Sequence, residues 1–351
     1  MSRALLQHVW EARALPHTLR YDQLADYHVP FDDLGGGTGV EHALAHWAGG
    51  QGRVALIGPP GAGKSSVVAW VLAHCVPDAV AALRIPVALA DDDEVQTTAG
   101  FARHAIRRVV AQTRLDDDDA RELRTRSADA LTERGNERRR GGRLGVRLGG
   151  LTGELSRELM DSSAELQHQV GAGEVVEGLR RLIELFRARA LEPLLILDDS
   201  DTWVARPHDE APRALATGFF GRVVRMLITE IPCGFVLAVH PSYLSLPAYQ
   251  EVAERLERVA VPQLPHPGDD LARIIDRRLE VAEIDGSVRD MLEPPALEEL
   301  ASLYRDVPDV RRALSIAATA IRLTLEDSDR AHVTAAAIRA AAAVLVEPPA
   351  R

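Results

Sequence analysis

Short continuous apolar runs recur along the first three quarters of the chain, and stretches with helical periodicity separate them. Continuous apolar runs of this length are typical of strands buried on both faces. Helical spacing is predicted at 67–75, 98–114, 174–190 and 218–231, and residues 28–44 form a Gly-rich connector that leads into a helix. Strands are predicted at 53–58, 83–90, 194–201, 234–240 and 258–264. Such alternation predicts an α/β fold with a parallel sheet that has helices on both faces.

The pattern changes after Pro265 and Pro267, where only helical spacing remains. A class change at a proline-marked break indicates a domain boundary. We therefore predict three parts: an N-terminal helical extension over 1–27, an α/β core over 28–265, and a small all-helical lid over 266–351. Within the core, residues 115–173 break the rhythm of strands and helices and are interpreted as an insertion.

Composition narrows the class of protein. The 351 residues are 46% hydrophobic and carry a net charge of −11, which argues against a surface built for general phosphate attraction. Only Cys75 and Cys233 are present, so the sequence has neither a disulfide framework nor zinc-ligand spacing. No apolar run approaches the length of a membrane span, and the N-terminus lacks the apolar region of a signal peptide. A cytoplasmic location without membrane contact is expected.

The first motif follows the first predicted strand. GPPGAGKS satisfies the pattern G-x-x-x-x-G-K-[ST] at every fixed position. In this motif backbone N–H groups surround phosphates, the lysine reaches the β- and γ-phosphates, and the Ser hydroxyl binds Mg²⁺. Lys64 is the single lysine of the chain, whose other permanently charged cationic side chains are all arginines. We predict that ATP is bound by Gly58, Pro59, Pro60, Gly61, Ala62, Gly63, Lys64, Ser65 and Ser66.

A second motif ends the predicted strand at 194–201, where four apolar residues precede two carboxylates. Asp198 is predicted to hold the Mg²⁺ shell together with Ser65, and Asp199 to polarise the attacking water. Because Asp is one methylene shorter than Glu, slow hydrolysis is expected. For Asp201 a catalytic role and an exposed turn or helix-cap carboxylate both remain open.

Several further residues have positions that suit a phosphate site. His240 ends the next apolar run and either contacts the γ-phosphate or caps the strand, with Ser242 as the fallback for this role. Arginines stabilise developing phosphate charge, often from a neighbouring subunit. Those placed near strand ends or at the start of a lid helix are Arg255, Arg258, Arg311 and Arg312.

Together these motifs resemble the AAA+ superfamily over roughly residues 28–346. VPFDDLGG is similar to the segment that leads into an AAA+ core, and VPDVRRAL to the sensor 2 element of initiator ATPases of the origin-recognition type. The resemblance implies that Arg311 is the sensor 2 arginine, that Arg258 or else Arg255 is the arginine finger, and that His240 is at the sensor 1 position. LILDDSDTW is also similar to the Walker B segment of STAND and KAP NTPases.

Two functions from different classes follow. In the first, an AAA+ ATPase forms a homo-oligomer and uses its nucleotide state to act on a partner protein or nucleic acid. In the second, a STAND- or KAP-like switch hydrolyses ATP slowly and signals through its bound state. A DNA-loading ATPase is a third possibility. The Arg-Gly stretch at 134–147 is better explained by a solvated loop than by a nucleic-acid contact, because nearby acids nearly balance its charge.

Overall fold

A computed structural model of the protein describes residues 2–15, 19–35, 39–49, 51–112, 172–200 and 210–346. The predicted insertion at 115–173, apart from its last two residues, and the open question about Asp201 therefore lie outside the described residues. In the described part of the chain, no helix is both long and apolar enough to cross a bilayer.

The described chain alternates strands and helices up to residue 260 and is helical beyond it. The strands are β1 (Arg53–Ile57), β2 (Val80–Pro86), β3 (Glu192–Asp198), β4 (Gly234–Val239) and β5 (Glu257–Ala260). The helices up to β5 are α1 (Ser2–Glu11), α2 (Val40–Ala48), α3 (Lys64–His74), α4 (Asp92–Gln96), α5 (Thr98–Gln112), α6 (Ala172–Ala188), α7 (Glu210–Gly218), α8 (Arg225–Thr229) and α9 (Pro247–Ala253). A π-helix, Phe219–Val224, joins α7 to α8. The later helices are α10 (Pro267–Val281), α11 (Val288–Met291), α12 (Pro294–Asp306), α13 (Val310–Glu326) and α14 (Ala335–Val346).

The five strands form one parallel sheet in the order β2-β3-β4-β1-β5. Every residue of β4 is buried, and so are six of the seven residues of β3, because these strands are covered on both faces. Burial in β2 alternates instead, as expected at the edge of the sheet. The predicted fold class, a parallel α/β core followed by a helical segment, is confirmed.

The chain divides into two compact units. The sheet unit comprises Ala43–Ile57 and Leu72–Val259, and its core joins β2, β3 and β4 to α5, α6 and the helices around the π-helix. Its aromatic centre includes Phe219 and Phe220, whose rings lie 5.5 Å apart in an edge-to-face arrangement.

The helical unit comprises Met1–His42, Gly58–Val71 and Ala260–Arg351. It holds α1, the turns of the N-terminal connector, the glycine-rich loop with most of α3, and helices α10 to α14. In this unit α1 packs on α11 and α13, and α14 packs on α12 and α13. The division of the chain at residues 27 and 265 stays a prediction.

Several predicted boundaries are wrong. The strand at 83–90 is β2, which begins at Val80 and ends at Pro86, because its partner β3 offers no residue beyond the pair Pro86–Asp198. The strand at 194–201 ends at Asp198, since the φ of 64° at Asp199 is incompatible with an extended chain. The predicted strand 258–264 is shortened to β5. The sequence pattern also missed α4, α7, α9 and α11, most of which are short helices.

Candidate nucleotide-binding site

The glycine-rich loop begins at Gly58, directly after β1, and ends where α3 starts at Lys64. Gly61 and Gly63 have φ of 71° and 93°, in the left-handed region that favours glycine. Val67 donates a hydrogen bond from its backbone N–H to the carbonyl of Gly63, at 2.9 Å, which extends the first turn of α3 back into the loop. The first N–H groups of a helix have no intrahelical acceptor, and they carry the positive end of its dipole. This loop therefore has the backbone geometry of an anion site.

Lys64 is buried with 6% of its surface exposed, and its side chain folds back over the loop. Its Nζ donates to the carbonyl of Gly58 at 2.8 Å and to that of Pro59 at 3.0 Å. These bonds hold the ammonium among the backbone groups of the loop. Gly58 also approaches its neighbours closely, because an added Cβ would lie 3.3 to 3.4 Å from atoms of Ala62, Lys64 and Val261.

The N-terminus of α13 contacts this loop within the helical unit. Val310 donates its backbone N–H to the carbonyl of Gly61 at 3.2 Å. Asp309 caps α13 by accepting from the N–H of Arg312 at 2.9 Å. Its carboxylate also packs so closely against Gly61 that a Cβ added to this glycine would clash with the carboxylate atoms. The sequence drew attention to Arg311 in this segment, whereas Asp309 makes the contact.

The N-terminal connector contributes a buried pair to the same unit. His28 lies 2.8 Å from Oε1 of Glu41, which also accepts from the N–H of Phe31 at 3.0 Å, and the His28 ring lies 5.8 Å from that of Trp70 on α3. Burial acts to raise the pKa of Glu41, but the hydrogen bonds from His28 and Phe31 outweigh it, so this pKa lies below its ordinary value. The pair fixes the connector to the first turn of α2, and the His28 ring lies beside α3.

In the sheet unit, two carboxylates stand at the carboxyl end of β3. Asp198 is buried, with 4% of its surface exposed, and its Oδ1 accepts the N–H of Asp199 at 2.9 Å. Asp199 follows in a left-handed conformation that an L-residue rarely adopts, although Asp is among those that tolerate it. Backbone of this kind occurs at functional sites more often than elsewhere.

Arg84 on β2 reaches across to both carboxylates. Its Nη2 lies 3.1 Å from Oδ2 of Asp199 and 3.5 Å from Oδ2 of Asp198. The backbone of Arg84 is held by Gln112 of α5, whose Oε1 accepts its N–H at 2.8 Å and whose Nε2 donates to its carbonyl. Gln112 thus supplies the hydrogen bonds that an edge strand otherwise leaves to water.

His240 follows β4 and, like Asp198, lies at the carboxyl end of its strand in the parallel sheet. Its Nδ1 accepts the backbone N–H of Ser242 at 3.1 Å and lies 2.7 Å from the Ser242 hydroxyl, so the ring caps the 3₁₀ helix Pro241–Ser245. Because Nδ1 is an acceptor, the neutral ring carries its proton on Nε2. His240 thus caps the helix that follows β4 rather than the strand itself, and its phosphate-contacting sensor 1 role stays a prediction.

The candidate finger arginines are both exposed in the sheet unit. Arg258 is on β5 beside Tyr249, and Arg255 ends the turn after α9, where its N–H donates to the carbonyl of Val252 at 3.0 Å. In the helical unit Arg311 is exposed in the first turn of α13. Exposure is what an arginine that serves a neighbouring subunit requires.

Two residues of the candidate site were missed from the sequence. Arg84 lies within an apolar run that predicts a strand and was therefore not considered as a site residue. A charged residue inside such a run is nevertheless a signal of a functional position. Asp309 was visible as a residue type that caps helices, three positions before Arg312, and only the fold shows that it contacts Gly61.

No curated protein and no protein-family model matches the sequence. Among solved structures, the Aeropyrum pernix ORC2 protein in its ADPNP–ADP complexes matches with a TM-score of 0.50 and 15% identity, over 89% of this chain and 68% of that one. The ADP form of that protein gives a TM-score of 0.47 at 15% identity, over 94% and 72%. Drosophila ORC bound to DNA gives 0.47 at 16% identity, over 98% and 66%.

The fold of the chain is similar to that of the Aeropyrum pernix ORC2 protein. At 15% identity, the likeness extends to the fold and not to the chemistry of individual side chains. The resemblance inferred from GPPGAGKS, LILDD and VPDVRRAL is confirmed at this level.

Proposed function

We propose that the chain binds ATP with Mg²⁺ through the glycine-rich loop and hydrolyses it slowly as an AAA+-type ATPase. One observation carries the proposal: Gly61 and Gly63 adopt left-handed conformations directly before a helix N-terminus, with the Lys64 ammonium held against the loop backbone. A loop of this geometry presents N–H groups and one cation to a chain of phosphates.

The residue types also fit Mg²⁺, which prefers oxygen ligands and keeps several waters. Ser65 offers a hydroxyl in the first turn of α3, and Asp198 offers a buried carboxylate at the end of β3. Within the proposal, Mg²⁺ neutralises phosphate charge, Asp199 orients the attacking water, and the Nε2–H of His240 donates to a phosphate oxygen.

A nucleotide-gated switch is the second candidate, and one observation favours it. Arg84 is ion-paired with Asp199, so the proposed base is engaged by a cation instead of being directed at water. Slow hydrolysis with a long-lived nucleotide complex would follow. Both candidates share the binding step and differ in turnover and assembly.

Binding is tested with a fluorescent ATP analogue in Mg²⁺ buffer, comparing wild type with Lys64→Ala. The variant is expected to lose binding, because the phosphates lose the loop cation. Equal affinity in the two proteins would remove the basis of the proposal. Circular dichroism serves as the control that both proteins are folded.

Turnover separates the candidates. In the first candidate, the ATPase assembles so that its arginine finger acts on a neighbouring subunit, and it acts on a partner protein or nucleic acid. Its specific activity should then rise with protein concentration and be lost in Arg258→Ala or Arg255→Ala. A flat, near-zero rate with retained nucleotide supports the switch instead. Nucleotide-dependent DNA binding that weakens steeply with salt would indicate the DNA-loading role.

A further inference from the structure

Helix α13 is held at both of its ends within the helical unit. Its N-terminus contacts the glycine-rich loop, and its C-terminus is bound by α1, the first helix of the chain. With 17 residues, α13 is about 25 Å long. A helix of this length moves as a stiff element, so a displacement of one end also displaces the other end.

The loop end of α13 brings a negative charge to the place where phosphates are expected. The Asp309 carboxylate packs against Gly61, and the Val310 N–H donates to the Gly61 carbonyl at 3.2 Å. A phosphate bound by the loop N–H groups would lie near this carboxylate, and like charges repel. Phosphate binding therefore disfavours the position of α13 seen in the structure.

The other end of α13 is closed by Arg3. Its guanidinium donates to the carbonyls of Leu325 at 2.8 Å, Asp327 at 2.7 Å and Arg330 at 2.9 Å. A cation that binds the last carbonyls of a helix also interacts favourably with the helix dipole. We call this contact the Arg3 clamp. It joins residues more than 320 positions apart in the sequence.

Helix α1 is closely packed against its neighbours near the Arg3 clamp. Its buried residues Leu6 and Val9 have at most 2% of their surface exposed. Leu5 packs against Gly286, where φ is 143° and an added Cβ would lie 2.8 Å from the leucine side chain. A shift of α13 thus strains a fitted interface instead of sliding along a loose one.

We propose that α13 couples the glycine-rich loop to α1: nucleotide displaces Asp309 from Gly61, and the displacement loosens the Arg3 clamp. This regulation rests on the proposed nucleotide binding at the loop. Because coupling between two sites is reciprocal, loosening the clamp must in turn favour nucleotide binding. The first helix of the chain is then the element that reports the nucleotide state.

Hydrogen–deuterium exchange of the full chain, with and without AMP-PNP and Mg²⁺, tests the coupling. Slower exchange is expected at residues 58–67 and faster exchange at residues 2–11 and 322–330. Protection of the loop with unchanged or slower exchange in α1 would overturn the coupling and leave the proposed function intact. Absence of loop protection at millimolar AMP-PNP would instead reject the proposed function, and the coupling with it.

Two variants test the direction of the effect. Arg3→Gln is expected to bind AMP-PNP about two- to five-fold more tightly, whereas a clamp with a purely structural role would leave the affinity unchanged or weaken it. Asp309→Asn keeps an N-cap side chain but removes the charge, so it is expected to bind AMP-PNP more tightly with no response in α1. An α1 response of wild-type size in Asp309→Asn would contradict the proposal.

Arg13→Gln is the matched control. Arg13 follows α1 and is exposed, and no hydrogen bond or ion pair of its side chain is seen within the described part of the chain. The Arg13→Gln substitution removes one positive charge from the same segment as Arg3→Gln does, but it leaves the Arg3 clamp intact. Its AMP-PNP affinity and its α1 exchange are expected to equal those of wild type, and a change as large as that of Arg3→Gln would attribute the effect to net charge.

Discussion

The Arg84 guanidinium lies 3.1 Å from the Asp199 carboxylate, and this pair joins the edge strand β2 to the residue that follows β3. Asp199 is in a left-handed conformation, and Gln112 holds the Arg84 backbone from the other side. Both partners are therefore fixed by their own elements, not by the ion pair alone. A carboxylate held in this way is a poor base until the arginine is released.

Replacing Arg84 tests this restraint. Arg84→Gln is expected to raise steady-state phosphate release by about two- to five-fold, since a partly exposed pair contributes roughly 0.5–1 kcal/mol. Arg107→Gln, which breaks another partly exposed pair, with Glu94 in the same unit, is the control and should leave the rate unchanged. A lower rate in Arg84→Gln at unchanged ATP affinity would show that Arg84 assists hydrolysis.

Asp199 itself is tested by a nearly isosteric change. Asp199→Asn is expected to lower phosphate release by at least about 100-fold, the usual contribution of a general base, while nucleotide affinity and melting temperature stay close to wild type. Asn tolerates the left-handed conformation as well as Asp does, so the fold is preserved. Retained turnover would assign the base to another residue.

The elements that could be predicted from the sequence are those with a strong local signal. β3 and β4 are buried on both faces and appear as continuous apolar runs, and the long helices α5, α6 and α13 have clear periodicity. The end of β2 depends on how far β3 continues beside it, which is a non-local property. Short helices such as α4 and α9 have too few turns to show a period.

The candidate site divides in the same way. GPPGAGKS has a fixed spacing, so its glycines and Lys64 could be named from the sequence alone. The contacts of Arg84 with Asp199 and of Asp309 with Gly61 join residues separated by 115 and by more than 200 positions. Such pairs depend on the order of strands and on helix packing, which local patterns do not contain.

Two glycines of the loop allow backbone strain to be separated from packing. Gly61→Ala and Gly63→Ala both place a side chain at positive φ, at a cost of about 1–2 kcal/mol each. At Gly61 the new Cβ also collides with Asp309, whereas at Gly63 nothing lies within 4 Å. Chemical denaturation is expected to show a larger loss of stability for Gly61→Ala. Equal losses would mean that Asp309 moves away freely.

Lys64→Arg tests whether the loop needs a compact ammonium. The Lys64 side chain is buried against the carbonyls of Gly58 and Pro59, and a guanidinium is larger and planar, so we expect it to be accommodated poorly there. AMP-PNP affinity is expected to fall on the order of 100-fold by isothermal titration calorimetry, although the charge is kept. Arg53→Lys, the reverse change at the end of β1 away from the loop, is the control. Wild-type affinity in Lys64→Arg would show that charge alone suffices.

The buried pair of His28 and Glu41 makes stability depend on pH in a defined direction. The pKa of Glu41 is lowered in the folded chain because hydrogen bonds from His28 and Phe31 outweigh the effect of burial. Its contribution to stability is therefore present above the ordinary value of 4.5 and is lost as the pH falls through the lowered folded value.

Glu41→Gln keeps an acceptor for the Phe31 N–H but removes the charge. Urea unfolding should show the variant to be less stable by about 1–3 kcal/mol at pH 7, with the difference shrinking below pH 4.5. Glu299→Gln, which breaks an exposed pair with Arg339, should change little at either pH. A constant difference between wild type and Glu41→Gln at both pH values would show that packing, and not the charge of Glu41, holds the connector to α2.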